Sequence, residues 1–553
     1  MNHSFMETHA DGKLSKYETN MSWKQLSFSY AEFIQFILTL LSIILAYRLL
    51  KKLKEAIIKS QSSETQRRFL CKSELALHQV SLERDGTNNV CLIVSLTSPK
   101  KLVKECVFDA LVLLAKRQPM LRAVLKTSSI SWLPTSDCTG KYFEIIEGDQ
   151  VYHMIDFKSC HIKSREWKKV WYEITSKPWG TGLLWRAVML QEEFLPETQH
   201  YRNTMIFNFS HCCVDGVSSV KFCQQFLHYL NNVSEGTCTQ DDDIASLDLA
   251  PNLTELIKNG QPSSLFNIIV ALDCLGISRI SKFIFKRKLR HSLSSTQKCN
   301  PYFAQFPPNM KATATSKSNL ISKVFSETET SRIVKACNLN NYTVTGAIMA
   351  ATHITFCKLL QDGRTNTKDL QLVHAIAINS QRHCKPKPFN EYVGNYFMAH
   401  PFEMDYAKEN GDFWILARET TKRIHSEVDG KKYLTDIMAV FDSFSIDEIV
   451  NEIQSPRNRE ELIGLSMCNG VSSAGCFDFR EQQKCHTYQL HECLFNSLIH
   501  GLPLAFVHFN ATVNGKMSWV ILYDPSKFMN VEHAESYANL CFDYFVEIGK
   551  QPF

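Results

Sequence analysis

Apolar positions in this chain follow two rhythms, short continuous runs and stripes at helical spacing, with polar stretches between them. Residues 90–96 (VCLIVSL), 184–190 and 204–210 are apolar runs of strand length, and a shorter one lies near 142–146. Residues 101–116 predict a helix. In 218–231, Val220, Cys223, Leu227 and Leu230 recur at helical spacing, which marks a core-facing side. The second half repeats the alternation: strand 318–325, helices 327–339 and 344–360, strand 371–378, and a last apolar strand running to Tyr523 and Asp524. Strand–helix alternation in both halves predicts an α/β fold. Residues 1–30 are polar and predict a disordered tail, 61–68 (QSSETQRR) a tether, and 240–243 a solvated acidic loop. Residues 292–315, rich in Ser, Pro, Asn and Thr, predict a connection between two lobes.

One apolar run is too long for a strand. Residues 33–50 (FIQFILTLLSIILAYRLL) would reach about 27 Å as a helix, close to the roughly 30 Å hydrocarbon core of a bilayer. Arg48, Lys51, Lys52 and Lys54 mark its C-terminal side as cytosolic, so 31–60 predicts a transmembrane anchor and basic stem. A buried helix, or an amphipathic one lying on the membrane surface, is the alternative. A cleaved signal peptide fits less well, because no small-x-small site follows the run. Residues 265–277, apolar apart from Asn267 and Asp273, lead into a basic segment at 282–291 interleaved with Phe, Ile and Leu. That pattern suits anionic lipid headgroups or a solvated linker helix.

The net charge of +5 over 553 residues is small, which excludes an electrostatically driven nucleic-acid binder. Apolar content of 44% permits a sizeable core. The 19 cysteines show no C-x-x-C spacing, and Cys91, Cys223 and Cys357 sit in apolar stretches. They read as buried thiols in a reducing compartment, in keeping with a cytosolic C-terminal bulk. Cys485, His486, His491 and Cys493 fit no usual zinc spacing, so no metal is expected. No P-loop or dinucleotide-binding glycine pattern occurs.

The chemistry-bearing segment is Phe207-Asn208-Phe209-Ser210-His211-Cys212-Cys213-Val214-Asp215-Gly216. An apolar strand ends in His-x-x-x-Asp-Gly. The strand fixes the backbone, and the imidazole of His211 can serve as a base near neutral pH. Asp215 can brace the turn. Gly216 allows a tight or positive-φ backbone where a side chain would not fit.

This segment resembles the signature of the chloramphenicol-acetyltransferase-like acyltransferases, which include the BAHD enzymes, alcohol acetyltransferases, wax ester synthases and peptide-synthetase condensation domains. Four further segments are similar in order and spacing. Residues 110–122, ending Gln118-Pro119-Met120-Leu121-Arg122, resemble the "rHPxLR" corner. Lys177-Pro178-Trp179-Gly180 with Leu184-Trp185-Arg186-Ala187 resembles "PLWR". Tyr392-Val393-Gly394-Asn395-Tyr396-Phe397 resembles the "GN" motif, and Thr512-Val513-Asn514-Gly515-Lys516-Met517 the "TYNGKL" hairpin. The DFGWG string of BAHD enzymes is absent.

The resemblance implies an α/β fold of two lobes, 75–300 with the motif and 315–553, and an active site in a channel between them. It implies direct transfer from acyl-CoA, as co-substrate, to an acceptor. His211 is the base, and Asp215 is a structural acid paired with an arginine, for which Arg382 is the candidate. Asn395, Asn469 and Ser472 are the candidate oxyanion or substrate donors, the last two in a segment (466–475) similar to an "SNxG" turn. An anchor beside an apolar segment points to a hydrophobic alcohol: terpenoid, sterol, fatty alcohol or diacylglycerol. Endoplasmic reticulum is the expected location. An amine acceptor, or a non-catalytic acyl- or lipid-binding protein of this fold, is the alternative. An acyl-cysteine route through Cys212 or Cys213 is the runner-up mechanism. If the strand continues, these two side chains point to opposite faces.

Overall fold

The computed structural model describes residues 66–127, 140–258, 317–361, 371–405 except 389, 413–450 except 444 and 449, 467–483, 486–525 except 501 and 503, and 531–550. The expected tail (1–30), the anchor and stem (31–60), the apolar and basic segments at 265–291 and the connection at 292–315 lie outside the described residues. Within them, no single helix is long and apolar enough to cross a membrane.

The first lobe opens with β1 (Arg67–Phe69), α1 (Lys72–Glu83), β2 (Val90–Ser98), α2 (Lys104–Arg117), β3 (Ala123–Thr127) and β4 (Lys141–Ile145). It continues through β5 (Asp156–Lys163), α3 (Lys168–Ser176), β6 (Trp185–Gln191), β7 (Glu193–Leu195), β8 (His200–Phe209) and α4 (Gly216–Ser234). The second comprises β9 (Asn319–Val324), α5 (Glu327–Leu339), α6 (Val344–Gln361), β10 (Gln371–Asn379), β11 (Phe397–Asp405), α7 (Phe413–Asp429) and α8 (Lys432–Ser443). After these come β12 (Met467–Phe477), β13 (Gln489–Ser497), β14 (Leu504–Val513), β15 (Lys516–Tyr523) and α9 (Val531–Lys550).

The first large sheet has the order β13-β2-β8-β6-β5, with β7 also on β8. Strand β2 is buried along almost its whole length and β8 from Asn203 to Phe209, which is why these stretches read as largely apolar runs and not as alternation. They pair antiparallel, Val90 opposite Phe209 and Ile93 opposite Ile206. Phe222 and Phe226 of α4, one helical turn apart, both meet Phe207, with ring centroids 4.9 and 5.1 Å away. The apolar stripe of 218–231 is therefore core-facing, as its spacing predicts.

The second sheet has the order β11-β10-β12-β14-β15-β9, with β10, β12 and β14 parallel. Its two faces differ. On one, Phe506 stacks on Tyr537 of α9 at 4.0 Å, and Trp519 packs on Phe542 and Phe545. On the other, Val507 and Phe509 join the first lobe's core, with Phe509 5.5 Å from Phe495. The β14–β15 hairpin closes through Asn514 (φ 51°) and Gly515 (φ 78°), the left-handed pair that a two-residue turn requires.

The lobes are not consecutive segments of chain, as expected from 75–300 and 315–553. β13, from the C-terminal half, lies on the outer edge of β2 in the first sheet, with Cys493 opposite Val94. An apolar strand left at that edge would expose unpaired backbone groups, and β13 covers them. Ser518 of β15 then donates to the Cys493 carbonyl at 2.9 Å, which ties the two sheets together.

Candidate active site

His211 stands two residues beyond the end of β8, where the backbone leaves the sheet. Ser210 N–H donates to the Leu184 carbonyl at 2.8 Å. The chain then turns back, with Cys213 N–H donating to the Ser210 carbonyl at 2.9 Å. Asp215 ends the turn and caps α4, its Oδ1 accepting from Ser218 N–H at 2.7 Å. Gly216 is the first residue of that helix and is not in the positive-φ region. It is required for a different reason: a Cβ there would lie 2.6 Å from the Phe495 ring of β13.

The second lobe reaches this turn through residues 391–397. Tyr396 N–H donates to Asp215 Oδ2 at 2.8 Å, and Asp215 N–H donates to the Gly394 carbonyl at 3.1 Å. Gly394 N–H donates to Ser218 Oγ at 3.2 Å. Gln118, fully buried, accepts from Val393 N–H at 3.1 Å and donates to the Glu391 carbonyl at 2.8 Å. Arg117 pairs with the Glu391 carboxylate at 2.8 Å. One carboxylate, Asp215, thus fastens the histidine turn to its own helix and to the opposite lobe. Sequence reasoning missed Gln118. Its place directly before Pro119, where the similar corner carries histidine, was the available signal.

The His211 ring is partly buried and lies 5.0 Å from the Phe397 ring. Its Nδ1 is buried and without a hydrogen-bond partner among the described residues. Burial lowers the pKa below the usual histidine value, opposed in part by its own backbone carbonyl and by the Asp215 charge. At neutral pH the ring is therefore uncharged and able to accept a proton.

The other expected site residues divide. Asn395 is buried, and its Oδ1 accepts from Phe397 N–H at 3.2 Å, which shapes the loop facing Asp215. Arg382 is a correction. Its side chain is 62% exposed and lies 4.0 Å from Asp429, while Asp215 spends both oxygens on backbone amides. Asn469 is a second correction. Residues 467–477 are strand β12, not a turn, so Asn469 and Ser472 point to opposite faces. Asn469 is on the helix-backed face, accepting from Tyr537 Oη at 3.1 Å. Ser472, level with Phe509, is on the face toward the first lobe and only half-buried.

Cys212 and Cys213 do not point apart, because the strand ends at Phe209. Their sulfurs are 3.8 Å from each other, and both residues are buried. Burial raises the Cys213 pKa well above the ordinary thiol value. Burial acts in the same direction on Cys212, but hydrogen bonds from Cys213 and His78 outweigh it and pull that thiol down to about 5. His486 pairs with Glu235 at 2.8 Å and His491 with Arg202 at 3.2 Å, so these two imidazoles serve separate contacts.

The model of the alcohol acetyltransferase family matches residues 147–533. No curated protein matches the chain. Among solved structures it is similar to the TRI3 trichothecene 15-O-acetyltransferase from Fusarium sporotrichioides, 12% identical over 88% of this chain and 95% of that one, with a TM-score of 0.59. The epimerization domain from the third module of tyrocidine synthetase B is 12% identical over 88% and 97%, TM-score 0.55. Polyketide synthase associated protein 5 from Mycobacterium tuberculosis is 12% identical over 87% and 99%, TM-score 0.54. At such identities the likeness is one of fold.

Proposed function

We propose that this chain, which belongs to the alcohol acetyltransferase family and is an O-acyltransferase by that membership, moves an acyl group from acyl-CoA to the hydroxyl of a hydrophobic alcohol with His211 as general base. The observation that carries the proposal is His211 itself: neutral by burial and set by the Asp215 clamp where the two lobes meet.

In the reaction, the imidazole takes the alcohol's proton as the oxygen attacks the thioester carbon. The tetrahedral intermediate collapses with cleavage of the C–S bond, and the imidazolium returns its proton to the departing thiolate. Ser472, on the face toward the first lobe, and the side-chain amide of Asn395 are the donors retained for the oxyanion. Asn469 is not among them. The buried cysteines favour direct transfer over an acyl-cysteine route.

An apolar acceptor suits the surface beside His211. On β10, Ala375 and Ala377 are partly open and Asn379 is exposed, whereas the intervening His374, Ile376 and Ile378 are buried. On β11, Ala399 and Pro401 are exposed next to Phe397. Small side chains on these two adjacent strands support a bulky apolar acceptor. Terpenoid, sterol and fatty alcohols and diacylglycerol share that character, and an amine acceptor would use the same base.

Anchoring by residues 33–50, with the catalytic part cytosolic at the endoplasmic reticulum, belongs to the same reading. The basic residues that follow the run support it, as does the free state of every cysteine among the described residues.

The test is free-thiol release by microsomes expressing the wild type or His211→Ala, with acetyl- to palmitoyl-CoA donors and pooled lipid alcohols. Release that requires both an acceptor and His211 is expected, and the product mass identifies acyl group and acceptor together. Equal release from both proteins with every donor would sink the proposal. Direct acyl-CoA binding without turnover would then favour a binding protein of this fold.

A further inference from the structure

A histidine base is commonly oriented by a carboxylate or carbonyl on the nitrogen that does not react. His211 lacks such a partner. Its Nδ1 is buried and without a hydrogen-bond partner among the described residues. Asp215, the acid of the same turn, accepts from Ser218 N–H at 2.7 Å and from Tyr396 N–H at 2.8 Å, so it braces backbone and not the imidazole. Rotation of the ring about its Cβ–Cγ bond is soft, and what restrains it is what packs against it.

That contact comes from the other lobe. The Phe397 and His211 ring centroids are 5.0 Å apart with their planes at 40°, inside the range of favourable ring contacts. The backbone around Phe397 is fixed. Its N–H donates to Asn395 Oδ1 at 3.2 Å, and Tyr396 before it donates to Asp215 and accepts from Ser380 N–H at 2.9 Å. As the first residue of β11, Phe397 pairs with Asn379 at the end of β10. Met398, His400 and Phe402 are buried, so by alternation Phe397 shares a face with the exposed Ala399 and Pro401. The Phe397 side chain is itself only partly buried. It therefore stands between the open face and the imidazole.

We propose that Phe397 is a positioning residue for acyl transfer: its ring, brought across from the second lobe, sets the angle of the His211 imidazole and keeps water off it. The inference rests on the acyl-transfer reading given above. Phe397 moves no proton. It makes the geometry of the base depend on the junction of the lobes at Asp215 and Tyr396.

Substitution at 397, with kinetics across pH, tests it. In Phe397→Ala, kcat should fall about tenfold or more as the imidazole swings out of line, with the thioester KM changed less than about twofold. The acid limb of kcat/KM should move up toward pH 6.5, because burial is what lowers the His211 pKa and the substitution admits water. The titratable groups on the elements that meet the turn are Asp215, Cys212 and Cys213 on the turn itself, His78 on α1, Lys221 on α4 and Tyr396 in the facing loop, and the substitution removes none of them. Phe397→Tyr should restore most of kcat and the wild-type limb, since it keeps the ring. A wild-type kcat in Phe397→Ala, or a lower kcat with an unmoved acid limb, overturns the inference. If that variant does not fold, Phe397→Leu carries the test, with smaller changes of the same sign expected and an unmoved limb overturning it. Labelling of His211 by diethyl pyrocarbonate, read by peptide mass spectrometry, needs no turnover and should be faster in Phe397→Ala. A wild type that releases no thiol defeats the acyl-transfer reading instead, and equal labelling of the two proteins then overturns the inference by itself.

Discussion

The two faces of the second-lobe sheet are made by alternate residues of the same strands, yet they do opposite work. The helix-backed face is packed solid: Phe506 on Tyr537, Trp519 among Phe542 and Phe545, and the buried histidines His353, His374 and His508 among them. The face toward the first lobe carries Ala375, Ala377 and Ser472 near Phe397 and His211, and part of it stays open. One strand therefore supplies stability on its even or odd positions and the proposed reaction surface on the others. A residue's role depends on its parity as much as on its chemistry.

The largest expected effect breaks the comparison on the open side. His211→Ala should lower kcat by about a thousandfold, within the range for losing a general base, and leave urea denaturation nearly unchanged. An unfolded variant or an unaltered rate would contradict the assignment.

The sharpest contrast lies within β12. Asn469→Ala should cost about 1 kcal/mol of stability by removing one partner of the buried Tyr537 hydroxyl, which keeps His508 at 3.0 Å, with kcat preserved in the folded fraction. Ser472→Ala should do the reverse, with little change in stability and a fall in kcat of up to about tenfold, less than a full oxyanion donor is worth. Denaturation and steady-state kinetics on the two proteins separate the faces, and matching behaviour would erase the distinction.

Filling the open face is the next test. Ala377 lies level with Ser472 on one side and Ala399 on the other. Ala377→Phe should lower kcat/KM for sterol-sized alcohols by about tenfold and spare short alcohols, while stability moves by less than about 1 kcal/mol. Equal losses for all alcohols would show that this surface does not select by size.

The last test is one of pH. On the packed face, burial lowers the His508 pKa to about 3 and holds that of His374 well below the usual 6.5. The unfolded chain binds protons at these histidines near pH 6.5 and the folded chain does not. Their share of stability is therefore intact above pH 6.5 and lost as pH falls below it, down to about 3 for His508, at up to about 1.4 kcal/mol per pH unit for each. Urea midpoints measured at pH 7, 6 and 5 check the slope. On the open face, the lowered pKa of His211 keeps the proposed base unprotonated, so kcat/KM should hold to below pH 6.5.

Much of this architecture was legible in the chain because it depends on local patterns. The unbroken run at 90–96 is β2, the helix expected at 327–339 has those bounds, and Asn514-Gly515 makes the turn its residue types favour. His211, Asp215 and the Gly394-Asn395 segment were also visible, and they do meet. The misassigned residues failed for non-local reasons. Arg382 ends a strand at a plausible sequence position, but the chain turns it outward to Asp429. Asn469 and Ser472 sit in small polar company that suits a turn, but they lie in a strand whose alternation separates them.

By itself, then, the sequence determined the alternation of elements, the family signature and the histidine proposed here as the base, because apolar periodicity, turn chemistry and short motifs act over a few residues. Only the tertiary structure decided that β13 joins the first sheet, that Gly216 makes room for Phe495, that Gln118 holds the loop at 391–393 and that Phe397 meets the His211 ring. Each of these is a contact between residues far apart in the chain, set by how two sheets pack and by which face each side chain takes, and no local pattern encodes that geometry.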